Sequence, residues 1–337
     1  MAEFILHYPR FDNQVHNRSN PLVATDNLPL TFSMLGATSG IEARWNGGSW
    51  ATVQADARGT YTVTLDGVSG QATLEVRPVD YPSLIVTRTM IGIGDVFLIA
   101  GQSNASGRGN NNQSWSHATL TAMMHANDYT WKTLADPTDS DTGGLDSVTT
   151  ESGLTPPAGT VWPIVATEIM AVTGCPVGFI PTAKGATSIT EWVRPASQPY
   201  QRRSVLYGQS IARAYWAAGV RHAQDAIRYV LWWQGEGDTV TMDEPTYRAA
   251  LKTLADGYMT DIGAKLMATR LQLTTAGEIE VVNTAIVNAA GENANVLVGA
   301  DLSDIATDDD AHLKIDAKLQ TAGERIAAVV LTAMGYE

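Results

Sequence analysis

The stretch DVFLIAGQSN, from Asp95 to Asn104, is an unbroken apolar run that stops abruptly on Gly-Gln-Ser-Asn. A short apolar run without polar alternation reads as a strand buried on both faces, the kind found inside parallel sheets. Four further runs of this type follow, at Val177–Pro181, Arg228–Trp233, Thr269–Leu273 and Ala294–Gly299. Amphipathic stretches of helical length lie between or after them, at Val161–Thr173, Ser204–Ala218, Thr246–Leu266 and Leu313–Met334. Gly174 and Gly219 stand where helix C-caps are expected. Strand and helix in alternation predict right-handed βαβ units and a parallel sheet covered on both faces. Ligands of such sheets bind outside the carboxyl ends of the strands, so chemistry is expected in the residues just after each run.

Upstream the rhythm is different. Between Leu28 and Val76 the segments IEARW, TYTVTL and ATLEVR alternate apolar and polar residues and are separated by NGGS, ARG and DGVSG. Period-two alternation with Gly and Asn turns is the pattern of an antiparallel sheet. This predicts a small antiparallel β-sandwich over residues 1–88, followed by an α/β unit over residues 89–337. Two units also suit a length of 337 residues, at roughly 150 per domain. Gly107–Ser116 and Ala135–Pro157 read as long loops over the sheet, and loops of that length are often functional.

Composition narrows the partners. Lys plus Arg number 22 against 35 Asp plus Glu, a net charge of −13. That balance argues against nucleic acid and against an anionic membrane surface, both of which are bound through basic side chains. No run approaches the ~18 apolar residues of a membrane span. Cys175 is the only cysteine, which excludes an internal disulfide and a thiolate-rich metal site. No paired-histidine metal spacing such as H-E-x-x-H occurs, and neither metal nor cofactor is expected. The N-terminal MAEFILHYPRFDNQ does not read as a signal peptide. Nine Trp and 11 Tyr against 5 Phe keep a carbohydrate ligand open, because rings with a polar edge suit sugar stacking as well as core packing.

Polar groups gather at the expected strand ends. Ser103, two residues after Gly101, can occupy a sharp turn that exposes its hydroxyl, as in a nucleophile elbow, although Gly-x-Ser taken alone reads more readily as an ordinary turn. Asp309 and His312, three apart, lie in DLSDIATDDDAHL before the final helix. They can supply the carboxylate and imidazole that a serine nucleophile needs. A solvated acidic loop, helix-capping residues, or a calcium site built from Asp308, Asp309 and Asp310 are the alternatives. Val177–Pro181 leads into Lys184–Trp192, and Arg228–Trp233 into Gln234–Asp238. Glycine loops and side-chain amides there can donate to an oxyanion. Glu236 and Asp238 can instead be read as glycosidase acids, or as braces for their loop.

The blocks GQSN, GATSITEW, WWQGEGD and DDDAH, in this order, resemble the SGNH (GDSL-like) hydrolase superfamily, in its branch of sialate O-acetylesterases and related carbohydrate esterases. The likeness covers residues 89–337. It implies a flavodoxin-like three-layer α/β/α fold with a parallel sheet, and metal-free removal of O-acetyl groups from sugars. It implies Ser103 as nucleophile, with Asp309 and His312 as acid and base, and an oxyanion hole from Ser103, Gly185 and Gln234. Asn104, Trp192 and Glu236 carry over as substrate-binding or loop-positioning residues. Two departures stand out: Ala186 replaces the second glycine of the second block, and Ala105 replaces the methionine after GQSN.

The expected partner is therefore an acetylated carbohydrate, a polysaccharide or sialate-like sugar. Trp115, Trp131 and Trp162, with Asn and Asp in the loops and no long apolar lid, favour a hydrated sugar over an acyl chain. The alternatives are an esterase or thioesterase of the same fold acting on short acyl or aryl esters, and a non-catalytic carbohydrate-binding or structural protein. Small sandwiches accompany esterases in polysaccharide enzymes and phage tail proteins, so an extracellular or virion-associated setting is expected by analogy alone. His117, His125 and His222 read as surface or packing residues. Cys175 has no basic neighbour in sequence and reads as inert.

Overall fold

The computed structural model describes residues 2–57, 59–66, 70–114, 121–124, 129–139, 158–196, 204–218, 226–274 and 279–336. Its first strands are β1 (Glu3–Tyr8), β2 (Val15–Asn17), β3 (Thr25–Leu35), β4 (Ile41–Trp45), β5 (Ala51–Val53), β6 (Tyr61–Asp66) and β7 (Ala72–Pro78). Strands β1, β3 and β6 form an antiparallel sheet in that order. Strands β5, β4 and β7 pair antiparallel, and β7 continues onto the start of β8 (Val86–Gly101). Alternation decides what goes inside: along β7, Ala72, Leu74, Val76 and Pro78 are buried and the residues between them are not, as the pleat requires. Leu6, Leu28, Leu30, Ile41, Leu74 and Ile91, drawn from both sheets, share one apolar cluster.

Strand β8 serves two sheets. Its first residues pair with β7, whereas every residue from Ile91 onward is buried. That second half pairs in parallel with β11 (Val177–Pro181) on one side and β12 (Tyr229–Trp233) on the other. With β9 (Thr121–Met124), β10 (Trp131–Thr133), β13 (Lys265–Arg270) and β14 (Val296–Asp301) the order is β10-β9-β11-β8-β12-β13-β14. Strand β10 runs antiparallel to β9. The chain is thus mixed α/β with a mostly parallel central sheet. The helices are α1 (Ser103–Ser106), α2 (Trp162–Thr173), α3 (Leu206–Ala218), α4 (Glu244–Ile262), α5 (Glu280–Glu292) and α6 (Asp316–Met334). Helix α2 packs on α6, and α4 contacts both α3 and α5. None of the described helices is long and apolar enough to cross a membrane.

The largest departure from the sequence expectation lies in one place. The helix expected at Thr246–Leu266 ends at Ile262, because Gly263 caps it in the left-handed region at φ 68°. The strand expected at Thr269–Leu273 therefore begins four residues earlier, at Lys265. Helix α5 was not expected, although Val282, Ala285, Ile286 and Ala289 are buried at helical spacing. Strands β9 and β10 were not expected either. Gly219 lies outside the described residues.

The N-terminal segment is tied into the large sheet. Strand β2 pairs in parallel with β8 at Val15 and Gly92, and Val15 joins the larger apolar core. Arg18 is fully buried and holds Asp95 at 2.6 Å, while Arg228 reaches the same carboxylate at 3.2 Å. Arg18 also donates to Cys175 Sγ at 3.3 Å, so a cation absent from the thiol's sequence neighbourhood is supplied from 157 residues away. Strand β8 crosses residues 88 and 89 without a break.

Candidate active site

The carboxyl end of β8 is shaped by contact with β12. Gly101 has φ +126°, and a Cβ there would lie 2.1 Å from the Trp233 carbonyl oxygen. Only glycine allows that approach. The Gln102 N–H then donates to Trp233 O at 2.9 Å, and the chain turns into the single turn α1 with Ser103 as its first residue. The Ser103 N–H therefore has no intrahelical acceptor.

The loop before α6 meets this serine. His312 Nε2 and Ser103 Oγ are 2.8 Å apart, and His312 Nδ1 lies 3.0 Å from Asp309 Oδ2. Asp309 Oδ1 accepts from the Ala311 and His312 backbone N–H groups at 3.0 and 2.7 Å. A carboxylate bonded to Nδ1 selects the tautomer whose bare Nε2 can accept the serine proton. Burial tends to raise the Asp309 carboxyl, but the bonds from Lys314, Ala311 and His312 outweigh it and hold the group well below the usual carboxylate range. Asp308, one of the calcium-site alternatives, accepts from the Lys314 and Ile315 N–H groups and pairs with Lys318. Its role is to brace the start of α6. Ser103 and His312 open onto a cavity of about 370 Å³, also lined by Arg108, Gly185, Ala186, Glu236 and Val240.

The structure departs from the sequence expectation at Gln234, Trp131 and Trp162, and at Trp192 it favours the positioning half of the expectation. Gln234 was expected to donate to an oxyanion, but it is fully buried and its amide nitrogen is used elsewhere. That nitrogen donates to Thr187 O at 2.8 Å, Asp238 Oδ2 at 2.9 Å and Gln102 Oε1 at 3.3 Å. Its oxygen accepts from Tyr247 at 3.0 Å. Gln234 braces the two neighbouring loops from behind. Trp192, carried over as a substrate or positioning residue, is 1% exposed, edge-on to Trp232, and bonded to Thr187 Oγ1; it only positions. Trp131 and Trp162 are likewise 3% and 1% exposed, so they belong to the core and not to a sugar platform. Trp115, His117, His125 and His222 lie outside the described residues.

Asn104 and Glu236 are buried beside the serine and bonded to each other at 2.5 Å. Burial pushes the Glu236 carboxyl above its usual range, against the bonds from Gln272 and Asn104. Ala186 occupies the left-handed region at φ 58°, where a side chain costs energy that glycine avoids. Three residues were missed from sequence. Lys314 pairs with Asp309 at 2.6 Å, and nothing in its spacing marks it. Arg108 lines the cavity from the loop after α1. Gln272 lies two residues beyond β13, and the misplaced strand hid it inside an apolar run.

A family model described as carbohydrate esterase, sialic acid-specific acetylesterase, matches residues 93–332, well over half of the chain. The chain belongs to this carbohydrate esterase family. A probable carbohydrate esterase of Arabidopsis thaliana is 27% identical over 165 residues, covering 44% of this chain and 56% of that protein. The chain thus matches a little over half the length of that relative. Among solved structures, a carbohydrate acetylesterase from Xanthomonas citri aligns with a TM-score of 0.61 at 18% identity, over 97% of this chain and 74% of that one. An Arabidopsis thaliana protein aligns at 0.54 and 23% identity, over 71% and 98%. These likenesses concern the fold. The family match begins inside β8, at Ile93, and ends within α6.

Proposed function

We propose that this family member is a serine esterase that removes O-acetyl groups from a carbohydrate. The observation that carries the reading is the hydrogen-bonded chain Ser103–His312–Asp309 at the mouth of a cavity. His312 Nε2 takes the Ser103 proton as Oγ attacks the acetyl carbonyl, and Asp309 stabilises the imidazolium that forms. The Ser103 and Gly185 N–H groups meet the oxyanion of the tetrahedral intermediate. The bond to the sugar oxygen breaks as His312 returns the proton to it, leaving an acetyl-enzyme. Water, deprotonated by His312, then releases acetate and restores Ser103. With its amide nitrogen committed to the scaffold, Gln234 has no part in these steps.

The parallel strands and the two helix groups, α2 with α6 and α4 with α3 and α5, support a three-layer SGNH fold for residues 89–337. The two sheets over residues 1–88 are proposed as an accessory sandwich that binds or tethers carbohydrate. The substrate class follows from the family, a polysaccharide or sialate-like sugar carrying O-acetyl groups. A second reading, short acyl or aryl esters, is favoured by Val240, which is 60% exposed on the cavity rim. Acetate release from an acetylated sugar is compared with hydrolysis of an aryl acetate and an aryl octanoate. The proposal expects the highest kcat/KM on the sugar and the lowest on the octanoate. A sugar acetate left intact while both aryl esters turn over would establish the second reading.

A further inference from the structure

We propose that Gln272 is a positioning residue for this reaction, acting through a closed ring of four hydrogen bonds that fixes the backbone on which His312 is mounted. The ring has two donors and two acceptors in alternation. Asn104 Nδ2 donates to Glu236 Oε1 at 2.5 Å and to Ala311 O at 3.0 Å. Gln272 Nε2 donates to the same two atoms, at 3.0 and 2.8 Å. The remaining oxygens are also engaged: Asn104 Oδ1 accepts from Leu313 N–H at 3.1 Å, and Gln272 Oε1 from Trp233 Nε1 at 3.1 Å. The peptide groups on both sides of His312 are therefore held by side chains, Ala311 O by two amides and Leu313 N–H by one.

The members come from neighbouring strand ends. Asn104 follows β8, Glu236 follows β12, Gln272 follows β13, and the His312 loop follows β14. Asn104, Glu236 and Gln272 are all at most 5% exposed, so water does not compete for their bonds. Glu236 Oε1 takes both amides, while Oε2 is buried with no hydrogen-bond partner among the described residues. That arrangement suits an acceptor at the corner of a ring and not a proton donor to substrate. The catalytic demand on the ring is strict, because a misplacement of about 1 Å can cost ~10²-fold in rate. Nε2 must stay within reach of Ser103 Oγ while the charge on the imidazole changes.

The inference rests on the esterase reading, and the experiment separates the two. Gln272→Met keeps the length and removes both donors. It is expected to lower kcat on an aryl acetate by about 10- to 10²-fold with KM changed less than about twofold. The rate at which a sulfonyl fluoride modifies Ser103 should fall in parallel, which a loss of substrate contacts would not produce. Glu236→Gln retains an oxygen for both amides and should keep kcat within about threefold, whereas Glu236→Leu should lose as much as Gln272→Met. If Gln272→Met does not fold, the Glu236 pair carries the same test from the opposite corner. Wild-type kcat and sulfonylation in Gln272→Met, or equal losses in the two Glu236 variants, would overturn the ring's role. Ser103→Ala, run alongside, reports on the esterase reading: if it stays active, that reading falls whatever the ring variants do.

Discussion

The two ends of β8 each gather a buried carboxylate, and they treat it differently. At the amino end of the parallel segment, Asp95 is fully buried between the guanidinium groups of Arg18 and Arg228. At the carboxyl end, Glu236 is buried among the neutral amides of Asn104 and Gln272. Guanidinium against carboxylate ties together segments far apart in sequence, here the N-terminal arm, β8 and β12. Neutral amides hold the His312 loop in position without adding another cation to Lys314, which already pairs with the Asp309 carboxylate beside the imidazole. One end of the strand is built for cohesion and the other for geometry.

The largest expected effect is at the geometric end. Ser103→Ala should lower kcat on an aryl acetate by about 10⁴-fold or more, with the unfolding midpoint close to wild type; unchanged turnover would remove the serine mechanism. Arg18→Met addresses the cohesive end. It leaves Asp95 with one guanidinium, and breaking a buried pair typically costs about 3–5 kcal/mol. Urea unfolding should show that loss while kcat of the folded enzyme stays within about threefold. A stable variant with impaired kcat would mean that the two ends are coupled.

Smaller effects sharpen the contrast. Lys314→Met removes the half-buried cation on Asp309 and should cost only about 0.2–1 kcal/mol at neutral pH. Asp309 is held below its ordinary value of 3.8, so its contribution is present above that value and lost as the pH falls through the lower folded value. The variant should therefore lose less stability on acidification than wild type, and identical acid slopes would refute the assignment. Asp136 is the last case, a half-buried carboxylate bonded to Thr160 and Gln113 with no guanidinium on it among the described residues. Burial pushes it from 3.8 up to about 6, against those bonds. Its contribution is present below pH 3.8 and lost as the pH rises through about 6, because the folded form holds the proton more tightly in that window. Asp136→Asn should remove that fall, read as the difference between wild-type and variant stability curves from pH 4 to 7.

Local sequence was sufficient wherever the decisive physics is local. Apolar runs without alternation marked β11 with its observed ends and the second half of β8, and the glycine before Gln102 marked the turn that lifts Ser103 out of the strand. The three-residue spacing of Asp309 and His312 is a loop property, and the structure joins them through both side chain and backbone. What sequence did not show was set by contacts between distant segments. Gln234 has the same chemistry as a free amide donor, but Asp238 from its own loop and Thr187, Gln102 and Tyr247 from three other segments use up its polar atoms. Trp192 reads as substrate-binding or loop-positioning until Trp232 is known to lie edge-on to it. Gln272 was hidden by a four-residue shift of one strand, since a residue's claim to the site depends on where its strand ends. The sequence alone determined the change from alternating to continuous apolar strands, the turn after β8 and the chemical types of the candidate groups, because these follow from short-range sterics and periodicity. Only the tertiary structure decided which polar groups face the cavity and which amides are spent on the scaffold, because hydrogen-bond capacity around the serine is allotted among groups as far as 209 residues apart.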